Sequence, residues 1–155
     1  MGDGFTVRKA SARDAAAISE MFDQYRVFYR KESDPGLARR FIRDRLRNQD
    51  SVLFVAKAEA KGKATLGFAQ MYPSFSSVSA GKILVLNDLF VRSGCRKKGV
   101  GRALIEACLE YASAKRCVRV DLATEKKNRT AQRLYNALEF QENRTFKYYS
   151  KGIDP

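Results

Sequence analysis

The sequence predicts a single α/β domain, of the α+β kind, built around a mixed sheet. Three observations predict it. Strand-like and helix-like runs alternate in the order β-α-α-β-β-β-α-β-α-β. The three strand-like runs in the middle are joined by short polar connections, which favours an antiparallel meander. The last of them then forms a βαβ unit with the next helix and strand at 82–124, so those two strands should be parallel neighbours with a right-handed crossover. The 155 residues suit one domain, 1–155, with no internal repeat and no dividing linker.

Each element has a local cause. Residues 5–9 alternate and read as a short strand. Ser11-Ala-Arg-Asp14 is a capping box, and Ala15, Ile18, Phe22, Tyr25 and Tyr29 then recur at helical spacing to about residue 30. Asp34-Pro35 opens a second helix with Pro in its first turn; Leu37, Phe41, Ile42 and Leu46 form its apolar stripe, surrounded by arginines. Residues 51–58 and 65–72 are strands separated by a polar turn, with Pro73 expected to end or bend the second. A serine-rich loop at 74–81 leads to the strongly apolar strand 82–92. A helix at 99–115, a strand at 118–124, a helix around Ala131, Leu134, Tyr135 and Leu138, and at least one strand within 140–151 complete the chain.

The composition excludes several chemistries. There is no histidine, which removes Ser-His-Asp and Cys-His catalysis and any His-ligated metal site. The three cysteines, Cys95, Cys108 and Cys117, are odd in number and match no zinc or CxxC spacing, so reduced thiols in a cytoplasm are expected and no metal site is. No apolar run approaches the ~20 residues of a membrane span, and the first residues lack a signal-peptide layout. Gly2 suggests myristoylation, but Phe5-Thr6 fits that motif poorly. The net charge of +13 favours anionic partners: nucleic acid, acidic protein, membrane surface or a phosphorylated cofactor.

The junction RKKGVGRALI, residues 96–105, places two glycines and four cations between a strand and a helix. Glycine lets backbone N–H groups approach phosphate oxygens, and a helix start adds unpaired donors and a positive dipole end. A bound pyrophosphate would relieve the repulsion among Arg96, Lys97, Lys98 and Arg102. The spacing is neither GxxxxGK[ST] nor GxGxxG after a first strand, which disfavours P-loop and Rossmann chemistry. The plainer alternative is a tight turn with solvated lysines.

The stretch LNDLFVRSGCRKKGVGRALIEACLEYA resembles the acetyl-CoA-binding segment of the GNAT N-acetyltransferase superfamily, a strand followed by R/Q-x-x-G-x-G/A and a helix. A second family segment also matches at Asn128, Ala131, Leu134-Tyr135 and Phe140, although Glu139 stands where the family usually has Gly. The resemblance covers nearly all of the chain. It implies a mixed sheet of about six or seven strands with helices on both faces and the central parallel strands splayed. More narrowly, LNDLFV with a basic loop resembles the diamine and polyamine, small-amine and histone-tail enzymes.

That resemblance implies acetyl transfer from acetyl-CoA to a primary amine of a small molecule or of a protein lysine or N-terminus, by direct attack in a ternary complex. Leu89, Phe90 and Val91 would pair with the pantetheine amides, and one N–H would stabilise the oxyanion. Arg96, Lys97, Lys98, Gly99, Val100, Gly101 and Arg102 would hold the pyrophosphate, with Asn128 and Ala131 on the cofactor arm. Tyr135 matches the family's general acid; a thiol near pKa ~8.5 can take a proton from a tyrosine near ~10 as it leaves. For the base, Asp88 and Glu125 both stand open, either relaying a proton through water or binding the ammonium. Tyr25, Tyr29, Asn87 and Asp88 are candidates to line the acceptor site; for the two tyrosines, core packing is the plain alternative. Relatives of the polyamine type carry a Glu-Asp pair where this chain has Asn87-Asp88, which puts tight polycation binding in doubt.

Two rival readings are a basic nucleic-acid-binding module, for which no RNP-like or zinc-finger signature is present, and a non-catalytic CoA-binding regulatory protein, which would have no need of Tyr135. Many relatives are dimers, and 145–150 (TFKYYS) could pair with or swap into a partner, so a homodimer is expected.

Overall fold

Two neighbouring β-strands that lie side by side for only part of their length define the site end of this fold. In the computed structural model, which describes residues 4–60 and 62–155, β4 (Gly81–Val91) and β5 (Arg119–Leu122) pair in parallel from Ile83↔Arg119 to Leu86↔Leu122 and no further. The sheet runs β1-β2-β3-β4-β5, with β1 (Phe5–Lys9), β2 (Val52–Ala58) and β3 (Thr65–Ser76) joined to β4 by antiparallel ladders. The mixed sheet, the meander and the parallel closing pair are therefore as the sequence predicts. Gly2, the lipidation candidate, lies outside the described residues.

Helices cover both faces of the sheet. The helices α1 (Ala15–Phe28) and α2 (Pro35–Asn48) bury Ile18, Met21, Phe22, Ala38 and Ile42 against Leu53, Val55 and Phe68. The rings of Phe22 and Phe41 stack at 5.1 Å across the helix pair. Helix α3 (Val100–Ala114) lies on the opposite face, burying Val100, Leu104, Ile105, Cys108 and Ala112. Burial alone raises the Cys108 thiol to about 12, so it stays a neutral apolar filler. Gly67 shows how closely the layers meet: a Cβ there would stand 2.6 Å from the Phe90 carbonyl oxygen and 3.3 Å from Leu104 Cδ1.

The helix starts follow local chemistry. The Ser11 N–H donates to Asp14 Oδ2 at 2.8 Å, as the capping box requires, and Arg8 Nη1 donates to the same oxygen at 2.8 Å. The Asp34 carboxylate accepts from the Leu37 N–H at 3.0 Å, with Pro35 at the first position of α2.

Three expectations are corrected. Proline does not end β3, which continues through Pro73 to Ser76; pairing with β2 stops at Val52↔Met71, so Pro73 meets an open edge where a missing N–H costs nothing. The serine-rich loop accordingly shrinks to a turn at 77–80. Among the described residues the sheet has five strands rather than six or seven, because 140–151 forms no strand. Residues 141–155 are exposed, and an extended segment becomes a strand only when a neighbour takes up its backbone N–H and C=O groups.

The chain falls into two contact units, Met1–Ala123 and Thr124–Pro155. The first holds the sheet and α1 to α3. The second holds α4 (Arg129–Ala137), capped by Asn128, whose Oδ1 accepts from the Ala131 N–H at 3.2 Å.

The close approach at Gly67 yields a test. Gly67→Ala should destabilise the protein by about 1–3 kcal/mol in denaturant unfolding, since the added methyl meets backbone and not a flexible side-chain end.

Candidate active site

The ladder between β3 and β4 contains one extra residue. Gln70 pairs with Asp88, but Met71 pairs with Leu86, so Asn87 has no counterpart. This is a β-bulge, and it reverses the alternation of side chains along β4. In an unbroken strand Leu86 and Asp88 would share a face. Here Leu86 shares the face of Met71, whereas Asp88 shares that of Gln70 and Phe68, the face packed by α1 and α2. The bulge therefore turns a carboxylate away from α3 and beneath Tyr25.

Asp88 is 1% exposed and held by two neutral donors. Asn87 Nδ2 donates to Oδ1 at 2.7 Å and Gln70 Nε2 to Oδ2 at 2.6 Å. Tyr25 donates its hydroxyl to the Asn87 carbonyl at 3.0 Å, and the same hydroxyl lies within reach of the Asp88 carboxylate. Burial pushes the Asp88 pKa up, and the hydrogen bonds from Asn87, Gln70 and Tyr25 only partly offset it. Burial first, and Asp88 second, raise the phenols of Tyr25 and Tyr72, so both keep their protons. The ring of Tyr29 meets that of Tyr25 edge-on at 5.0 Å. The result is a carboxylate of raised proton affinity, lined by tyrosines, at the point where β4 leaves β5.

Beyond that point β4 offers bare backbone. Residues 87–91 have no partner in β5, so on that edge Leu89 and Val91 present N–H groups with no strand partner, while Phe90 between them pairs with Phe68 of β3. The strand leads directly into the basic loop. Arg96 Nε donates to the Val91 carbonyl at 3.0 Å and its guanidinium lies 5.9 Å from the Phe90 ring centroid. Arg96 thus closes the loop onto the strand as well as adding charge.

Lys97 and Lys98 are exposed, with no ion pair among the described residues. Gly99 caps α3 with φ +82°, a left-handed conformation that favours glycine, and nothing lies within 4 Å of where its Cβ would be. The first-turn amides of Val100, Gly101 and Arg102 have no intrahelical acceptor. Arg102 is drawn to Glu106 at 3.0 Å along the helix surface. Open amides, a positive helix end and two unpaired ammonium groups fit a pyrophosphate.

The structure brings Tyr25, Tyr29, Asn87, Asp88, 89–91 and 96–102 together within the first unit. The second unit carries the remaining candidates. There Gln132 Nε2 donates to the Glu125 carbonyl at 3.1 Å, Glu125 Oε2 lies 3.7 Å from Lys127 Nζ, and the ring of Tyr135 meets that of Phe140 at 6.0 Å. Asn128 spends its oxygen on capping α4, so only its amide nitrogen is left to donate. Sequence reasoning missed Gln70, Ser51 and Tyr72. The available signal was a glutamine at the centre of the apolar run LGFAQMY.

Comparison with known proteins agrees with this geometry. Residues 18–140 match the acetyltransferase (GNAT) family. An uncharacterised N-acetyltransferase of Bacillus subtilis, YhfO, is 42% identical over 147 residues, covering 95% of this chain and 97% of that protein. The crystal structure of a probable acetyltransferase superposes with a TM-score of 0.89 at 33% identity, covering 97% of this chain and 99% of that one. An aminoglycoside N-acetyltransferase in complex with CoA shares the fold, with a TM-score of 0.78 at 20% identity over 97% and 96% of the two chains. With a glycine-capped, cation-flanked helix start, a strand edge without a strand partner and a family match over most of its length, this chain belongs to the GNAT family and is an acetyl-CoA-dependent N-acetyltransferase.

Proposed function

We propose that this enzyme acetylates a primary amine, of a small molecule or of a protein lysine or N-terminus, by direct attack within a ternary complex. The observation that carries the reading is the buried Asp88 carboxylate, held by Asn87 and Gln70 under Tyr25, where β4 parts from β5. An alkylammonium has a pKa near ~10.4 and must lose a proton before it can attack. Asp88 takes that proton, through the Tyr25 hydroxyl, and its raised proton affinity suits the task. Acetyl-CoA supplies the activated acetyl group as a thioester. The backbone at Leu89, Phe90 and Val91 aligns the pantetheine arm and offers an N–H to the carbonyl oxygen. Lys97, Lys98 and the amides at 100–102 hold the pyrophosphate.

Tyr135 gives its proton to the sulfur as the carbon–sulfur bond breaks and the carbon–nitrogen bond forms. The amine's second proton replaces it on Tyr135, so one proton ends on CoA and one on Asp88, from where it passes to solvent. The motif Asn128-x-x-Ala131-x-x-Leu134-Tyr135 supports this role. Glu125 serves the acceptor's charge. The LNDLFV likeness favours the small-amine and polyamine or histone-tail enzymes, while the single carboxylate favours an acceptor with one amine in contact at a time. We take 1–155 as one functional domain and, with Cys95, Cys108 and Cys117 all free thiols, place it in a cytoplasm. No helix among the described residues is long and apolar enough to cross a membrane.

The direct test measures thiol release from acetyl-CoA with a panel of primary amines and identifies the products by mass spectrometry. Asp88→Asn should lower turnover by about 10²–10⁴-fold and remove an acid limb that lies above the ordinary carboxylate range in the wild type. Tyr135→Phe should lower turnover by roughly 10²-fold with acetyl-CoA affinity unchanged. Wild-type turnover in either variant removes that residue from its role.

Acetyl-CoA at ~100 times its dissociation constant should stabilise the protein by about 2.7 kcal/mol, a melting shift of roughly 5–10 °C. Replacing Lys97 and Lys98 with alanine should shrink the shift for acetyl-CoA but not for an acetyl-pantetheine fragment lacking the pyrophosphate.

A homodimer is part of the same reading. Phe146, Tyr148, Tyr149 and Ile153 are 68–88% exposed in a β-prone segment, and a second copy can pair with it. Light scattering should report about twice the 17.5 kDa chain mass, falling to a monomer when Phe146, Tyr148 and Tyr149 are changed to serine.

A further inference from the structure

Three polar side chains, from the residue just before β2 and from β3 and β4, form a row on the face packed by α1 and α2. Leu53, Gln70 and Asp88 are direct ladder neighbours on β2, β3 and β4, and Ser51 stands two residues before Leu53. Ser51 Oγ donates to Gln70 Oε1 at 2.8 Å, and Gln70 Nε2 donates to Asp88 Oδ2 at 2.6 Å. The neighbours on this face are apolar: Leu53, Val55 and Phe68 are buried and Phe90 packs against them. A leucine or methionine at position 70 would continue that layer. The fold alone does not ask for an amide here.

From these contacts we propose that Gln70, anchored by Ser51, is a positioning residue for the transfer reaction, holding the Asp88 carboxylate in the state from which it accepts the amine's proton. The proposal rests on the reading of Asp88 as that acceptor. The chemistry of the donors dictates the arrangement. A carboxylate only accepts, so Gln70 must turn its NH2 group toward Asp88. The carboxylate thus selects the amide's orientation, and Ser51, by donating to Oε1, satisfies the other end of the amide and anchors it in place. Gln70 is fully buried and Asp88 1% exposed, which leaves bulk water no access to replace the bond. With Oδ2 tied to Gln70 and Oδ1 to Asn87, the carboxylate cannot rotate, and its proton traffic is confined to the side of Tyr25.

The bond also tunes the group. Burial favours the neutral acid, and an acid that already holds its proton cannot take the amine's. Donation from Gln70 favours the ionised form and pulls its pKa back down. The other ionisable groups around it are Tyr25 from α1, with Tyr29 packed edge-on against its ring, and Tyr72 from β3, with the Arg45–Asp50 pair, 2.6 Å apart, beyond Tyr72. Tyr25 and Tyr72 keep their protons, so hydrogen bonds and burial dominate.

The test uses the full chain with 13C-labelled aspartate. NMR follows the Asp88 carboxyl from acid to neutral pH, with Asp88→Asn assigning its signal. In Gln70→Met the midpoint should rise by roughly one pH unit. The acid limb of kcat/KM should rise with it, measured with acetyl-CoA and the fastest acceptor among a diamine, lysine and a peptide with a free N-terminus. The KM for acetyl-CoA should stay within about twofold, which a merely structural loss would not guarantee. Ser51→Ala, at a half-buried position less apt to disturb folding, should move both readouts the same way by less, and Ser51→Thr should restore them. A midpoint that stays put in both variants overturns the inference alone, since Asp88→Asn judges the acceptor role separately. A midpoint that moves while the acid limb does not overturns the role of Gln70 and the reading of Asp88 together.

Discussion

The bulge at Asn87 is the constraint on which the site depends. One residue without a counterpart in β3 changes the parity of β4, so Asp88 and Phe90 face α1 and α2 although Leu86 faces α3. The same stretch is where β4 and β5 cease to pair. The two events have a common geometry, because a bulge bends its strand and increases its local twist. A regular strand would have sent Asp88 into the layer under α3, among Leu104, Ile105 and Cys108, with no donor to meet it.

Burying a carboxylate is costly, and the surroundings show how the cost is met. Asn87 and Gln70 each bring a neutral hydrogen-bond donor, the Tyr25 hydroxyl lies within reach, and Asp88 has no ion pair among the described residues. A salt bridge would have lowered the group's proton affinity instead. That is what Arg8 and the Ser11 N–H do for Asp14, where they outweigh the upward push of burial. The contrast separates two kinds of buried acid in one chain. Asp14 is stabilised as an anion and ties β1 to the start of α1. Asp88 has neutral donors and no ion pair, and burial leaves its proton affinity raised.

The cationic loop obeys a related logic at the other end of the strand. Arg96 bonds back to β4 and Arg102 leans toward Glu106, so the two lysines between them supply the uncommitted charge. Gly99 provides the left-handed turn that brings the chain from the loop into α3 without a Cβ in front of the first amides. Charge, backbone donors and helix dipole therefore converge on one small region. The net charge of +13 does not by itself distinguish that region from the arginine-rich surface of α2.

Local patterns determined most of the fold. The capping box at Ser11, Pro35 at the head of α2, the alternation of the strands and the glycine spacing at 99–101 act over a few residues, and each can be read from its own neighbourhood. The same holds for the basic loop and for Asp88 as a polar residue in an apolar strand. Tertiary structure alone decided three things: that β3 runs on through Pro73, that 140–151 is no strand, and that Ser51, Gln70 and Asp88 stand in one row. Each is a matter of partners. A proline is tolerated or not according to the edge it meets, and an extended segment becomes a strand only when another lies beside it. A glutamine becomes part of a site only when ladder register, and one bulge, set it against a carboxylate 18 residues away.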